Sequence, residues 1–307
     1  MADKVRVSVV VDNTIDIFLP PAEHVSYPLP GSGSRLLAEQ GLSLAVEVWN
    51  GERVTRILYD FGRNADVCLF NAALLEIAVS DLDYLVLSHG HVDHYGALRH
   101  IIGEAEGSRL VVHPDALDRK RYILVEDKEV VGPWEVASET LRPFESRISV
   151  NTDPFFIAPD IAVSGEIERQ TDFEEGMHNA LVEVDGELVH DEIRDDQALF
   201  IDLDEGGIVV LTGCCHAGLV NTLLSAQKVL PGRPVHALIG GLHLNSAGER
   251  QMKETMGYLQ ELNLSCLAAL HCTGYYAGRR LMERFRDPWI AGTVGARISL
   301  GGSHSCP

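Results

Sequence analysis

The sequence is poor in positive charge, and it contains no apolar run long enough to cross a membrane. Lysine and arginine total 25 against 45 aspartates and glutamates, so the formal net charge is −20. This excess of acid repels nucleic-acid phosphates and anionic lipids, which argues against both as main partners. No run reaches the ~18 apolar residues of a membrane-spanning helix. We therefore expect a protein that binds neither nucleic acid nor membrane.

Cysteine is also scarce, and the start of the chain lacks the features of a secretory leader. The 307 residues include six cysteines, which do not predict a disulfide framework in a long chain without a leader. The first residues, MADKVRVSVVVDN, hold one short apolar run that ends in Asp12 and Asn13, not in a small-residue cleavage site. We expect a cytoplasmic protein with reduced thiols.

The apolar pattern predicts one α/β domain over residues 1–307. Two apolar runs flank Asn50-Gly51, the strongest short hairpin signal, and NAALLEIAVSDLD (71–83) predicts a helix. Later runs predict buried strands separated by helices: YLVLSHG, RLVVHP, QALFIDLDEGGIVVLTG, PVHALIGG and LSCLAALH. Residues of about 115–175 are charged and weakly periodic. They predict an insertion of short strands and loops that supplies walls to a substrate site.

The clearest functional signal is SHGHVDH, in which His89, His91, Asp93 and His94 follow a buried strand. Two imidazoles at i and i+2 point the same way and can bind one metal ion, while Asp93 and His94 can turn toward a second. A chance H-x-H-x-D-H in a chain of this size has a probability on the order of 10⁻³. The alternative is three solvated loop histidines beside a chance aspartate. We predict two divalent metal ions, zinc in the first place and manganese or iron otherwise.

SHGHVDH after a strand, with YDFG upstream, resembles the metallo-β-lactamase superfamily. The resemblance implies a four-layer αβ/βα sandwich, in which two mixed sheets face each other, helices cover the outside and metals lie at one edge. It also implies ligands from later strand ends, for which we expect His216 and His271. Cys214 stands where a bridging aspartate is usual. Metal contact and a buried structural thiol are both open for it.

A narrower set of motifs resembles one branch of this superfamily. VVVDN, GEIERQTDFE, DDQALFI, TGCCHAGLVNT, IGGLHL and HCTG together span most of the chain. The branch is named after a dihydropterin-methyl ribofuranosylaminobenzene-phosphate synthase and implies a divalent metal pair. The motifs do not imply the substrate of each member.

Several other residues are candidates for substrate binding or for orienting a ligand. Asn13 and Asp196 adjoin strands and could hydrogen-bond a ligand, although both residue types also favour turns. His243 follows a strand and a Gly-Gly break and could contact a substrate or a ligand, with direct metal ligation and packing as its alternatives. Thr273 could offer a backbone N–H to an anion. Arg169 could pair with a phosphate and His178 could reach the site, but an exposed surface position is the alternative for both.

Three functions remain open at this point. The favoured one is a hydrolase whose metal-bound hydroxide attacks an ester, phosphoester, lactone or related small substrate, with Asp93 holding a metal and taking up a proton. The second is the transferase of the branch name, acting on a phosphate-bearing substrate. The third is a non-catalytic metal or redox sensor that uses Cys214 and Cys215. Assembly into a homo-oligomer is a further open expectation.

Overall fold

The computed structural model describes residues 1–28, 35–125 and 128–302. Cys306, two residues of the expected insertion (126–127) and the end of the tail lie outside the described residues. The strands are β1 (Lys4–Val11), β2 (Val25–Ser26), β3 (Ser43–Asn50), β4 (Arg53–Tyr59), β5 (Tyr84–Val86), β6 (Arg109–Val112), β7 (Arg121–Leu124), β8 (Val130–Trp134), β9 (Ile148–Val150), β10 (Phe155–Ala158), β11 (Ile161–Val163), β12 (Ala180–Val184), β13 (Glu187–His190), β14 (Leu199–Leu203), β15 (Gly207–Thr212), β16 (Val235–Gly241), β17 (Cys266–Leu270) and β18 (Arg297–Gly301).

The α-helices are α1 (Ala65–Leu74), α2 (Val92–Tyr95), α3 (Leu98–Glu104), α4 (Ser138–Leu141), α5 (Leu219–Val229), α6 (Glu249–Leu262) and α7 (Tyr275–Arg284). None of the helices in the described part of the chain is long and apolar enough to span a membrane.

Two mixed sheets form the centre of the protein. One has the strand order β2-β18-β1-β3-β4-β5-β6-β9, and the other has the order β10-β11-β14-β15-β16-β17. Apolar residues alternate along β1, so that Val5, Val7 and Val9 join the core between the sheets. Val10 packs toward the helix layer, and a register shift after Val9 turns Val11 to the same side. The strands are therefore buried on both faces, as their continuous apolar runs require.

Helices cover the outer face of each sheet and complete a four-layer αβ/βα sandwich. Residues of α1 and α3 pack on the eight-stranded sheet, and residues of α5, α6 and α7 pack on the six-stranded sheet. The predicted hairpin is confirmed, because β3 and β4 pair up to Asn50 opposite Arg53. The predicted helix over 71–83 is wrong in its bounds. Helix α1 covers 65–74, and Glu76 takes the left-handed φ of 60° that ends it.

The segment predicted as an insertion, 115–175, contributes strands to all three sheets of the structure. Strands β9, β10 and β11 extend the two central sheets. Strands β7 and β8 instead join β12 and β13 in a separate four-stranded antiparallel sheet, in the order β13-β12-β7-β8. This third sheet stands beside the edge at which the predicted metal ligands meet, since Ile123, Val131 and Trp134 line the same cavity as His91 and His216.

Candidate metal centre

The chemistry-bearing residues follow strands whose carboxyl ends share one edge of the sandwich. β4 and β5 are parallel, and β1 runs the same way because β1 and β4 both pair antiparallel with β3. In the second sheet β15, β16 and β17 are parallel. Residues able to bind metal or to form hydrogen bonds follow these strand ends within three positions: Asn13, Asp60, His89, Cys214, His243 and His271. Parallel topology thus gathers residues that are far apart in sequence.

One group consists of His89, His91 and His216. His89 Nε2 lies 3.0 Å from His91 Nδ1, and the His216 ring centroid lies 4.8 Å from the centroids of both other rings. Burial lowers the pKa of His89 and His216 well below the ordinary value and lowers that of His91 to about 3. All three imidazoles are therefore neutral at pH 7, which is the form that binds metal.

His216 carries the strongest sign of a ligand. The ring is 2% exposed, and neither of its nitrogens has a hydrogen-bond partner among the described residues. A buried imidazole without partners is costly unless a ligand satisfies it. The residues present therefore fit a metal ion at this position.

A second group consists of Asp93, His94 and His271. His271 Nε2 lies 3.4 Å from Asp93 Oδ2, and His94 Nε2 lies 3.9 Å from Asp93 Oδ1. Burial alone would raise the pKa of Asp93, but His94 and His271 outweigh it and hold that pKa below the usual range. Burial likewise opposes the charged form of His94, and Asp60 with Asp93 overcomes it and raises the pKa to about 9.

Cys214 lies between the two groups. Its sulfur is 3.2 Å from His94 Nε2, and it is within 4.8 Å of ligand atoms of His89 and His216 on one side and of His94 and His271 on the other. Burial raises the pKa of the thiol well above its ordinary value. The sulfur is thus protonated at neutral pH, and a bound cation would deprotonate it.

The ligand nitrogens of these rings are oriented by hydrogen bonds on the opposite side of each ring. Asp60 Oδ2 lies 2.6 Å from His94 Nδ1, and its carboxylate also accepts the Ser88 N–H and hydroxyl, both at 2.7 Å. The Ser88 hydroxyl in turn lies 2.8 Å from His89 Nδ1. Asn13 Oδ1 lies 2.8 Å from His271 Nδ1. Such partners set the tautomer and orientation of metal-binding histidines.

Two buried carboxylates and an arginine hold the loop that carries the motif, and sequence reasoning missed Arg121 and Asp191 among them. Arg121 donates to Asp191 at 2.8 Å and to Asp195 at 2.6 Å, and Asp195 accepts the Gly90 N–H at 2.7 Å. A Cβ at Gly90 would lie 2.1 Å from the Arg121 guanidinium. Glycine at this position therefore lets the guanidinium pack under the histidine loop.

Asp196, Thr273 and His243 lie around the histidine groups. Asp196 accepts the Ala217 N–H at 2.8 Å, directly after His216, and burial raises its pKa to about 7. The Thr273 hydroxyl accepts the Leu242 N–H at 3.2 Å. The His243 ring lies 4.3 Å from that of His216. Asp196 and Thr273 thus support backbone, whereas His243 lines the cavity.

Arg169 and His178 are the two candidates that the structure does not bring to the metal centre. The Arg169 guanidinium is exposed and donates to the backbone oxygen of Glu192. The His178 side chain is 72% exposed and pairs with Glu175 at 2.9 Å. Neither residue lines the cavity into which the histidine groups open, although His178 lines an adjacent cavity that His216 and His243 also line. Arg169 and His178 thus contact neighbouring surface groups, Glu192 and Glu175, instead of the metal centre.

The histidine groups open into a cavity of about 560 Å³. Its lining combines polar residues of the two central sheets with apolar residues of the third sheet, among them Ile123, Val131 and Trp134. The Trp134 ring centroid lies 6.5 Å from that of His91. The volume suits a small molecule.

Comparison with known proteins identifies the class. Residues 40–190 match the model of the Metallo-beta-lactamase superfamily. The predicted resemblance to this superfamily is therefore confirmed over these residues, and so is the predicted four-layer fold. The solved structure of Tm1679, a metal-dependent hydrolase of the beta-lactamase superfamily, has the same fold. It superposes with a TM-score of 0.72 at 24% identity and covers 98% of this chain and 100% of its own.

Two proteins of Methanocaldococcus jannaschii place the chain more narrowly. A 7,8-dihydropterin-6-methyl-4-(beta-D-ribofuranosyl)-aminobenzene-5'-phosphate synthase is 29% identical over 282 residues, which cover 90% of this chain and 93% of the relative. The protein MJ0448 is 28% identical over 271 residues, which cover 87% and 95%. The predicted resemblance to this branch is confirmed.

Proposed function

We propose that the protein is a hydrolase with two divalent metal ions that cleaves a small ester, phosphoester, lactone or related substrate. The observation that supports it is the pair of buried ligand groups on the floor of one cavity. His89, Cys214 and His216 have ligand atoms within 4.8 Å of one another, and so do His94, Cys214 and His271. Two sites that share one ligand are the arrangement that a two-metal hydrolase needs.

His89, His91 and His216 would hold the first ion, and Asp93, His94 and His271 the second, with Cys214 between them. Two divalent ions there would supply Lewis acidity and a water whose pKa is lowered to ~7. Asp60 and Asn13 keep the imidazoles in the binding orientation through the hydrogen bonds described above. The Cys214 sulfur makes zinc the favoured metal, because thiolate is a soft ligand.

The cavity supports a substrate with an apolar body. Ile123, Val131 and Trp134 form the apolar wall opposite the histidines, and Arg63 and Asn245 add polar groups to the lining. The apolar wall excludes water from the bound molecule and strengthens electrostatic interactions on the metal side. Arg63 can pair with an anionic group of the substrate, which fits an acid or a phosphate ester.

The transferase is the second candidate, and the synthase of M. jannaschii favours it. The identity of 29% extends over 93% of that relative, so the likeness is not confined to the metal motif. In this case the cavity would bind a dihydropterin diphosphate and a ribosylated aminobenzoate phosphate, and the Trp134 ring offers a surface for stacking an aromatic ring.

The test combines metal content with turnover. Metal per chain is measured by elemental mass spectrometry on protein purified without chelator, and the protein is then assayed with a panel of esters, phosphoesters and lactones and with the two synthase substrates. A His91→Ala, His94→Ala variant removes one ligand from each group. His100→Ala is the matched control, because His100 is exposed on the adjacent helix.

At least two ions per chain, turnover of the panel, and loss of turnover and of the histidine-bound ions in the double variant alone are the expected results. Condensation without ester turnover would replace the hydrolase by the transferase. Two ions with neither reaction would instead favour the metal sensor.

A further inference from the structure

A third cluster of ligand atoms lies beside the two histidine groups, and the proposed hydrolase uses only one of its three residues, Cys214. Cys214 Sγ, Cys272 Sγ and a ring nitrogen of His243 lie within 4.8 Å of one another. All three residues line the cavity into which the histidine groups open. Cys214 is shared with the histidine groups, whereas His243 and Cys272 occur in this cluster alone.

The backbone brings the Cys272 sulfur and His243 together. The His243 N–H donates to Cys272 Sγ at 3.3 Å, and the Cys272 thiol donates to the backbone oxygen of Cys214 at 3.4 Å. A Cβ at Gly241 would lie 2.6 Å from Cys272 Sγ, so the absence of a side chain there admits the sulfur. His243 has a φ of 45°, in the left-handed region that few residues other than glycine adopt. Strained backbone of this kind is retained where the placement of the side chain has a function.

His243 also has a buried nitrogen that lacks a partner. Within the described part of the chain, no hydrogen-bond partner reaches His243 Nδ1. The neighbouring ring is that of His216, at a centroid distance of 4.3 Å, and its nitrogens have no partner in the same residues. A ligand that accepts electron pairs from nitrogen and sulfur would satisfy His243 and the two thiols together.

Two thiolates and one imidazole are a soft donor set that suits zinc, cobalt or cadmium and disfavours manganese and magnesium. We propose that Cys214, His243 and Cys272 form a thiolate-rich site that binds a zinc-class ion next to the histidine positions. The inference rests on the proposed metal centre because Cys214 is common to both. It predicts that Cys272 and His243 are ligands, and that the centre prefers zinc to manganese.

Cobalt(II) substitution under a non-thiol reductant tests the site without any assay of activity. Cobalt bound by thiolates shows intense sulfur-to-cobalt charge-transfer absorption, whereas cobalt bound by imidazole and carboxylate does not. In Cys272→Ser this absorption per protein should fall to about half, since one of two thiolates is removed. Cys266→Ser is the matched control, because Cys266 is a buried thiol of the core between the sheets, and it should keep the full absorption.

A second variant tests the imidazole. His243→Gln should weaken cobalt binding at the sulfur-ligated position by about 10-fold or more while leaving the sulfurs in place. Wild-type absorption in Cys272→Ser, or unchanged cobalt affinity in His243→Gln, would overturn the proposal. Sulfur-to-cobalt absorption that falls in Cys272→Ser, without substrate turnover by the wild type, would support this site and reject the hydrolase. Turnover with sulfur-to-cobalt absorption that is unchanged in Cys272→Ser would reject this site and leave the hydrolase standing.

Discussion

Asp60 connects both histidine groups although it is not placed to bind metal itself. Its carboxylate contacts His94 Nδ1 and both the N–H and the hydroxyl of Ser88, and the Ser88 hydroxyl reaches His89. We predict that Asp60→Asn weakens zinc binding by about 10–100-fold, the usual effect of losing such a partner. Asparagine also tolerates the φ of 61° found at this position. Competition with a chromophoric chelator measures the affinity.

Asp81→Asn provides the control for that experiment. Asp81 is an exposed carboxylate on a surface turn, so its neutralisation changes the net charge equally. An equal loss of zinc affinity in both variants would show that charge, and not orientation of His94, is responsible.

Asn13 allows a comparison of two replacements at one hydrogen bond. Its side-chain oxygen lies 2.8 Å from His271 Nδ1. We predict that Asn13→Leu loses about 10–100-fold in affinity for the second ion, while Asn13→Asp retains it because an acceptor remains. Metal content at graded chelator concentrations separates the two variants. Equal retention in both would mean that the surrounding backbone alone orients His271.

Individual site residues were predictable where a local pattern carried them. The grouping of His89, His91, Asp93 and His94 follows from spacing after a strand, and the structure brings these residues together as that spacing implies. Asp60 was visible only as part of YDFG, because the partner of its carboxylate is 34 residues away. A single residue whose contacts are all non-local leaves no periodic trace in the sequence.

At the scale of elements, strand β7 contributes a buried ion pair to the base of the histidine loop. Arg121 is 1% exposed and pairs with Asp191 and Asp195. We predict that Arg121→Leu destabilises the protein by about 3–5 kcal/mol, because it leaves two buried carboxylates unpaired. Urea unfolding followed by circular dichroism measures the change.

Arg279→Leu is the matched control for the buried pair. Arg279 pairs with Glu283 on α7, but the two side chains are 62% and 55% exposed, so its removal should leave the free energy of unfolding nearly unchanged. A similar small loss in Arg121→Leu would mean that the carboxylates become protonated or hydrated at little cost.

Most elements could be predicted from periodicity, and the exceptions have physical reasons. Strands β15, β16 and β17 lie within the predicted apolar runs, and helices α5 and α6 separate them as expected, since each element buries an apolar surface. The sequence predicts a helix over 71–83, whereas α1 covers 65–74. The predicted end is too late because Leu75 and Ile77 extend the apolar run beyond the helix. Glu76 ends it in a left-handed conformation, and the sequence has no glycine there to signal the stop.

At the scale of the whole molecule, the candidate ligands come from both halves of the sandwich. His89, His91, Asp93 and His94 follow β5 of the eight-stranded sheet, whereas His216 and His271 follow β15 and β17 of the six-stranded sheet. Each proposed ion therefore has ligands from both sheets. A bound ion would thus join the halves of the fold at the edge where the main core ends.

Metal removal should consequently lower the stability of the entire fold and not only that of one loop. A ligand that binds only the folded state at 100 times its dissociation constant stabilises it by about 2.7 kcal/mol. In a chain of this length that corresponds to a rise of about 5 °C in the unfolding midpoint. We predict that chelation lowers the midpoint by this amount in the wild type and leaves the His91→Ala, His94→Ala variant unchanged. Zinc, added back in excess of the chelator, should restore the wild type alone. An equal response of the variant would mean that chelation acts elsewhere on the protein, and the ligands would then not join the two sheets.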